Sequence, residues 1–185
     1  MDTRVILDAT AGNRTMWKHK NTENIIYIDI ETKLERKPTI FADNTNTPFL
    51  SETFDTIFYD PPFMAGRGKG SFFSCPDISK RVQTTMGLKG ATFYGVGRYK
   101  SKQALIAHVY RAQKEFKRIL KDDGSLWFKW SEADISLNRI LSLFADWYEL
   151  LRIYVRSPLQ TIGKAQTYWV CLTKKERETT QTALG

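Results

Sequence analysis

The residues with the clearest chemical potential form the motif Asp60-Pro61-Pro62-Phe63, which directly follows the strand-forming residues 54–59. A carboxylate, two prolines that cannot continue a ladder and an aromatic ring therefore stand at the end of a predicted strand. Open α/β sheets bind their ligands at the carboxyl ends of the strands. The motif thus indicates a pocket for a flat group that carries an amine, although Pro-Pro after a strand is also typical of a simple turn.

Three more aspartates occupy equivalent places along the chain. Strands are predicted over residues 4–7, 24–28, 39–41 and 55–59, and the acids that follow them are Asp8, Asp29, Asp43 and Asp60. The carboxyl ends of parallel strands meet at one edge of a sheet, so the four carboxylates are expected along a single rim. This repetition favours a binding site over a chance series of turns.

The elements that must position this rim alternate between strands and helices, which predicts an α/β domain with a mainly parallel sheet. A helix is predicted over 101–120 with Ser101 as its cap, and residues 121–124 should end it. A strand over 125–130, a helix over 134–146 and two closing strands over 147–155 and 167–173 complete the pattern. The connections between the early strands are too short for full crossover helices.

The length of 185 residues predicts one domain, which we place at residues 1–175, with a tail that frays over 176–185. Residues 63–100 form a long stretch rich in Gly, Ser and Thr, which is typical of a functional loop. We interpret it as a basic substrate-binding insertion within the domain.

The net charge of +8 is concentrated in one part of the sequence. Residues 64–121 contain thirteen basic residues, opposed only by Asp77 and Glu115. Such a block indicates a polyphosphate partner, although a solvated face is the alternative. The candidates for nucleic-acid contact are Arg67, Lys69, Lys80, Arg81, Arg98 and Lys100.

Other classes of function find little support in the sequence. No apolar run approaches the roughly 20 residues that span a bilayer, and the start of the chain lacks the layout of a signal peptide. Cys75 and Cys171 are far apart and lack metal-ligand spacing, so we predict no metal site and a reducing, cytoplasmic location.

The ordered set of motifs resembles the class I S-adenosylmethionine-dependent methyltransferases. It is most similar to the amino-methyltransferases that modify exocyclic nitrogens of bases in DNA or RNA. The resemblance covers residues 5–173, and its most specific parts are the motif at residues 60–63 and the segment 118–126. It implies a Rossmann-like methyltransferase fold, with about seven mostly parallel strands and a C-terminal antiparallel hairpin.

The resemblance also implies how S-adenosylmethionine would be held. The loop Asp8-Ala9-Thr10-Ala11-Gly12-Asn13 would lie beneath the methionine part, and Asp29 would accept the ribose hydroxyls. Asp43 and Asn44 would receive the adenine amine, with Phe41 or Phe49 over the ring. The loop has one glycine where many members have two or three, and Asn13 stands in place of one of them.

For catalysis, the resemblance implies that the Asp60 carboxylate and the Pro61 carbonyl each accept one N–H of the target amine. Pro62 would stiffen the motif, and Phe63 would stack on the base. The nitrogen is then drawn toward tetrahedral geometry, and the carboxylate stabilises the positive charge that develops on it. No metal is needed for this chemistry.

The expected function is therefore methylation of adenine N6, cytosine N4 or guanine N2 in a nucleic acid. RNA is favoured, because the chain has no spare domain for reading a DNA sequence and the basic segment suits contacts to backbone and shape. A DNA amino-methyltransferase is the nearest alternative. A protein amide methyltransferase and a non-catalytic nucleic-acid-binding protein on the same fold are more distant ones.

Three further features have plainer interpretations. His108 is interpreted as a helix-surface or packing residue, and the run Trp127, Phe128 and Trp130 as the faces of a strand. Lys129, within that run, could reach the cofactor rim or a phosphate.

Overall fold

The computed structural model describes residues 4–65, 98–156 and 165–175. These residues form a seven-stranded sheet in the order β3-β2-β1-β4-β5-β7-β6. The strands are β1 (Ile6–Asp8), β2 (Ile25–Asp29), β3 (Ile40–Phe41), β4 (Phe54–Tyr59), β5 (Leu120–Ser131), β6 (Trp147–Val155) and β7 (Thr167–Lys174). The first five strands pair in parallel, whereas β7 pairs antiparallel with both β5 and β6. The predicted α/β class, the mostly parallel sheet and the closing antiparallel hairpin are confirmed.

Short loops replace the crossover helices in the first part of the sheet. Residues 4–65 are all described, and they contain no helix between β1 and β4. Instead, backbone hydrogen bonds tie the loops to neighbouring strands, such as Ala9 N to Phe58 O at 2.9 Å and Ala11 N to Ile28 O at 3.0 Å. The loop after β1 is thereby held across the ends of both adjacent strands.

One face of the sheet is covered by helix α1 (Lys102–Ile119). Ser101 caps it as expected, since its side chain accepts a hydrogen bond from Ala104 N at 3.1 Å. The buried face of α1 includes Leu105, Val109, Ala112, Phe116 and Ile119. The Phe116 ring packs edge-on against Tyr59 of β4, with centroids 4.8 Å apart, so the helix lies directly behind the strand that leads into the aspartate-proline motif.

Two predicted boundaries differ from the structure. Residues 121–124, predicted to end the helix before a strand over 125–130, belong to β5. They form a bulge opposite Asp55, between the pairs Phe54–Leu120 and Thr56–Ser125. The second helix, predicted over 134–146, is only α2 (Leu137–Leu141). It begins after the cap Ser136 and gives way to turns in which Phe144 N bonds to Leu141 O.

Aromatic side chains cover part of the opposite face of the sheet. Trp17, from the loop after β1, contacts Phe58 edge-on at 5.1 Å between ring centroids. Phe58 in turn stacks on Trp127 of β5 at 6.3 Å and meets Trp169 of β7 at 6.0 Å. Phe128 and Trp130, which point the other way from β5, are fully buried in the main core. The run 127–130 thus forms two strand faces, as predicted.

Among the described residues, no helix combines the length and the apolar character that a bilayer crossing requires.

Packing between β4 and its neighbours should dominate stability. Ile57 of β4 is completely buried, whereas Leu50 is 82% exposed. We expect Ile57→Ala to lower the free energy of unfolding by about 2–5 kcal/mol, because it removes buried methylenes and leaves a cavity. Urea denaturation measures the change. Leu50→Ala is the matched control and should stay within about 0.5 kcal/mol of the parent protein; equal effects of both changes would contradict the assigned core.

Candidate active site

Three of the four predicted rim acids lie at the carboxyl ends of adjacent strands. Asp8 ends β1, Asp29 ends β2 and Asp60 directly follows β4. The register pairs Asp8 with Tyr27 of β2 and with Phe58 of β4. Asp8 is close enough to both Asp29 and Asp60 for their charges to raise its pKa. The sheet therefore brings these three carboxyl groups into one cluster around the end of β1.

Asp8 is the most buried acid of this cluster, with 1% of its surface exposed. Its carboxylate accepts hydrogen bonds from the Trp17 indole at 2.7 Å and from Thr10 N at 3.1 Å. Burial raises the pKa of Asp8 to about 6, and these two hydrogen bonds offset only part of that effect. Asp8 thus shapes the loop that follows it and remains a titratable group near neutral pH.

Asp29 fastens the same loop from the neighbouring strand. One carboxylate oxygen accepts from Gly12 N at 2.9 Å, and the other accepts from Glu31 N at 2.8 Å. Gly12 has φ of +48°, a conformation that favours glycine, and a Cβ placed there would meet no heavy atom within 4 Å. The loop therefore presents backbone and open space beside Asp29. A carboxylate has about four acceptor positions, so Asp29 can still accept hydroxyl donors.

Asp43 and Asn44 lie one step further along the rim, after β3. Asp43 accepts from the backbone and the hydroxyl of Thr45, at 2.8 and 2.9 Å. Burial acts to raise the pKa of Asp43, but these hydrogen bonds and nearby positive charge lower it below its ordinary value. The Asn44 amide donates to Ala9 O at 3.0 Å, while its buried Oδ1 has no hydrogen-bond partner in the part of the chain that is described.

The two aromatic candidates near Asp43 differ in availability. Phe41 is 50% exposed at the end of β3. Phe49 instead packs edge-on against Phe54 in the core, with ring centroids 4.9 Å apart. Of the two, Phe41 has the free surface that a flat ligand could cover.

Asp60 is anchored through both its backbone and its side chain. Its N–H donates to Thr10 Oγ1 at 2.8 Å, which joins the motif to the loop after β1. Its Oδ2 accepts from Lys129 Nζ at 2.7 Å, and the two side chains are only 12% and 25% exposed, respectively. Burial raises the pKa of Asp60, and the Lys129 ammonium opposes that rise. Nothing in the local sequence pattern pairs Lys129 with Asp60 rather than with a phosphate.

The rest of the motif lies deeper than the sequence suggested. Pro61 is buried and Pro62 is half-buried. Phe63 is 5% exposed and belongs to the main hydrophobic core, together with Met64 and Ala65. Ala65 N donates to Asp134 at 2.8 Å, which fixes the chain beyond the motif. In this conformation Phe63 offers little surface for stacking on a base.

Four of the six candidate nucleic-acid contacts, Arg67, Lys69, Lys80 and Arg81, lie outside the described residues. Arg98 and Lys100 are described and exposed. Other members of the basic block form ion pairs: Lys117 with Asp146 at 3.5 Å, Arg118 with Glu115 at 2.6 Å and Lys121 with Asp55 at 2.8 Å. These ion pairs offset part of the positive charge that the sequence count assigns to the block.

Tyr99 and His108 form a buried pair near Asp43 that the sequence analysis did not connect with the site. Their rings lie 5.1 Å apart, and each residue is 7% exposed. Burial lowers the pKa of His108 to about 4, and the charge of Asp43 only partly opposes this. His108 is thus a neutral packing residue, which confirms that interpretation. Only the tertiary fold could have placed it near Asp43.

Among the described residues, no group of three or more His, Cys, Asp or Glu side chains could hold a metal ion. The cluster of Asp8, Asp29 and Asp60 is instead committed to backbone donors, the Trp17 indole and the Lys129 ammonium.

Comparison with known proteins gives matches at the level of structure alone. No protein-family profile and no curated protein sequence matches this chain. Among solved structures, the chain is similar to the PH0226 protein from Pyrococcus horikoshii OT3, with a TM-score of 0.58 and 12% identity over 95% of this chain and 84% of that one. An rRNA methylase from Streptococcus thermophilus has a TM-score of 0.50 and 13% identity, over 95% and 89% of the two chains.

A third similar structure is the 1,6-didemethyltoxoflavin-N1-methyltransferase of Burkholderia thailandensis, with bound S-adenosylhomocysteine. Its TM-score is 0.54 at 12% identity, and the match covers 93% of this chain and 71% of that one. The similar proteins thus include enzymes for a nucleic acid and for a small molecule. What they share with this chain is the fold, which is the Rossmann-like fold of S-adenosylmethionine-dependent methyltransferases.

The raised pKa of Asp8 makes stability depend on pH. Between pH 3.8 and about 6 the folded state binds the Asp8 proton more tightly than the unfolded chain, so the free energy of unfolding falls as pH rises through this window. The expected loss is about 1.4 kcal/mol per pH unit. Asp8→Asn should abolish this contribution. The variant should therefore gain stability relative to the parent protein from pH 4 to 6, with no further gain above pH 7.

Urea denaturation at several pH values measures this difference. Asp123→Asn, at an exposed aspartate of β5, is the matched control and should track the parent protein throughout. A stability difference between Asp8→Asn and the parent protein that stays constant from pH 4 to 7 would contradict a raised pKa at Asp8.

Proposed function

We propose that the protein is an S-adenosylmethionine-dependent N-methyltransferase that acts on an exocyclic amine of a nucleic-acid base, with RNA as the favoured acceptor. The observation that carries the proposal is the placement of the Asp60 carboxylate. It follows β4 directly, is joined by its backbone to the loop after β1 and lies close to Asp8 on the rim. The carboxylate that would accept hydrogen bonds from the target amine and the residues that would bind the cofactor thus lie along one edge of the methyltransferase fold.

The residues along the rim fit S-adenosylmethionine. Gly12 leaves open space in the loop after β1, where the backbone can approach the methionine part closely. Asp29 has acceptor capacity for ribose hydroxyls, the role that an acid has at this place in nucleotide-binding sheets. The exposed Asp43 carboxylate, with Asn44 beside it, can accept the adenine amine, and the exposed Phe41 ring can cover the adenine face. When bound, S-adenosylmethionine supplies a methyl group on a sulfonium, which is an electrophile.

Asp60 and Pro61 then prepare the acceptor. An exocyclic amine is a weak nucleophile, since its lone pair is delocalised into the base. If Asp60 Oδ1 and the Pro61 carbonyl each accept one N–H, the nitrogen moves toward tetrahedral geometry and its lone pair becomes available. Asp60 is held from two sides, by Thr10 and by Lys129, so it requires little reorganisation when positive charge develops on the nitrogen. The carboxylate can take up the proton that the methylated amine loses.

The preference for a nucleic acid rests on charge. The net charge is +8, Arg98 and Lys100 are exposed, and Arg98 lies close enough to Asp43 for their charges to interact. Positive charge near the site attracts phosphates without reading sequence. RNA is favoured because single-stranded or looped bases avoid part of the cost of flipping a base out of a duplex.

The direct test is transfer of a labelled methyl group from S-adenosylmethionine to total RNA and to total DNA, followed by nucleoside analysis. We expect label in RNA, on an amino-methylated adenosine, cytidine or guanosine. Label in DNA alone would support the nearest alternative instead. Binding of S-adenosylmethionine without transfer to either polymer would contradict the proposed substrate, and the absence of cofactor binding would contradict the enzyme assignment.

Two variants should separate the chemical site from the cofactor site. Asp60→Ala should lower the transfer rate by about 10²–10³-fold, because it removes a fixed acceptor that faces developing charge, while the cofactor dissociation constant stays near the parent value. Asp29→Ala should raise that dissociation constant by about 10–100-fold, as expected for the loss of hydrogen bonds to a charged acceptor. Calorimetry and single-turnover kinetics measure the two quantities. Equal loss of binding and rate in Asp60→Ala would refute its assigned role.

A further inference from the structure

The ion pair between Lys129 and Asp60 is built into the sheet. The parallel register of β4 and β5 pairs Tyr59 with Phe128, so the next residues, Asp60 and Lys129, extend side by side from the ends of the two strands. The Lys129 Nζ lies 2.7 Å from Asp60 Oδ2. The ammonium therefore occupies one oxygen of the carboxylate that is proposed to bind the target amine.

We propose that Lys129 is a positioning residue for methyl transfer, which keeps Asp60 in its charged form and directs the other carboxylate oxygen, Oδ1, to the acceptor amine. This inference rests on the proposed function, since it assigns a role to a neighbour of the proposed acceptor group. It adds a residue from β5 to a site that the sequence motifs confine to the ends of β1 to β4.

The burial of Asp60 explains why such a residue is needed. Asp8 faces it from β1, close enough for the two charges to interact. Burial of Asp60 favours a neutral carboxyl group, which would be a poorer acceptor for two reasons. It would carry no charge to stabilise the positive nitrogen, and its proton would compete with the amine as a donor. Lys129 from β5 is the cation in direct contact with Asp60 among the described residues.

The lysine is itself held in place. Lys129 pairs directly with Trp169 of the antiparallel strand β7, and its Nζ lies 5.8 Å from the Trp169 ring centroid. Phe58 meets the same ring edge-on, so an aromatic wall lines this side of the ion pair. A wall of low polarity strengthens the attraction between the two charges and limits the positions that Nζ can take. The ion pair thereby fixes the direction in which the other oxygen of Asp60, Oδ1, points.

The role is tested by changing the charge of Lys129 while measuring the protonation of Asp60. In protein labelled with ¹³C at its aspartate carboxyl groups, the Asp60 signal is assigned by its loss in Asp60→Asn and followed by NMR as pH varies. Lys129→Met should raise the pKa of Asp60 by about 1–3 pH units, the usual influence of an opposite charge at this distance. Lys129→Arg, which keeps the charge, should restore most of the parent value.

The same variants should change the pH profile of transfer in a way that lost stability could not. Activity falls at low pH because Asp60 must be ionised, so a raised pKa moves the acidic limb of kcat/KM to higher pH. In Lys129→Met this limb should move by the same amount as the titration, while the cofactor dissociation constant stays unchanged. The matched control is Lys121→Met. Lys121 makes an ion pair of nearly equal length with Asp55 at the opposite end of the same two strands.

The outcomes separate this inference from the proposed function. An Asp60 pKa that is the same in Lys129→Met and the parent protein overturns the inference, whatever the activity. So does an acidic limb that moves equally in Lys121→Met. A parent protein without methyl transfer to RNA or DNA contradicts the proposed function, while the NMR titration still decides whether Lys129 keeps Asp60 charged. If circular dichroism shows that Lys129→Met does not fold, Lys129→Gln takes its place in both measurements.

Discussion

The parallel pairing of β4 with β1 on one side and β5 on the other is the constraint on which the site depends. Each register is fixed by buried side chains that alternate along the strands, and a slip by one residue would turn every side chain to the opposite face. With the register in place, Asp8, Asp60 and Lys129 emerge together at one edge. Burial raises the pKa of both Asp8 and Asp60. The charge of Asp60 adds to the rise at Asp8, and the Lys129 ammonium opposes the rise at Asp60, so the three strands together shape the electrostatics of this edge.

The aspartates of the rim also have a structural role, because they fold the loops that stand in place of crossover helices. In a longer version of this architecture, helices would fix the strand ends. Here each rim aspartate folds the chain after its own strand: Asp8 holds Thr10, Asp29 holds Glu31 and Asp43 holds Thr45. Such local side-chain bonds are typical of Asp in turns. The carboxylates proposed to bind the cofactor are thereby already oriented, without the help of crossover helices.

How far the sequence predicts this molecule differs between the fold and the site. The strand ends, the α1 cap and the short early connections follow from local patterns, so Ser101 and the four aspartates could be located in advance. The contact between Lys129 and Asp60 could not be predicted, because these residues are 69 positions apart in the chain and meet only through the register of β4 and β5. The local sequence pattern also suggested that the Phe63 ring is exposed and available for stacking, whereas it is buried. Its burial follows from the course of the chain after Pro62, where Asp134 ties down the backbone.

The distance along the chain between these partners has a further consequence, for the order of events in folding. Asp60 with Lys129, Asp55 with Lys121 and Thr47 with Glu115 are separated by 69, 66 and 68 residues, so these three long-range contacts close loops of similar size. These loops must close, with a loss of chain entropy, before the contacts can stabilise the protein. Proteins dominated by non-local pairings therefore fold slowly. Secondary structure such as α1 can therefore appear well before β4 and β5 meet. The contact between Asp60 and Lys129 is therefore expected to form after the helical signal has recovered during refolding.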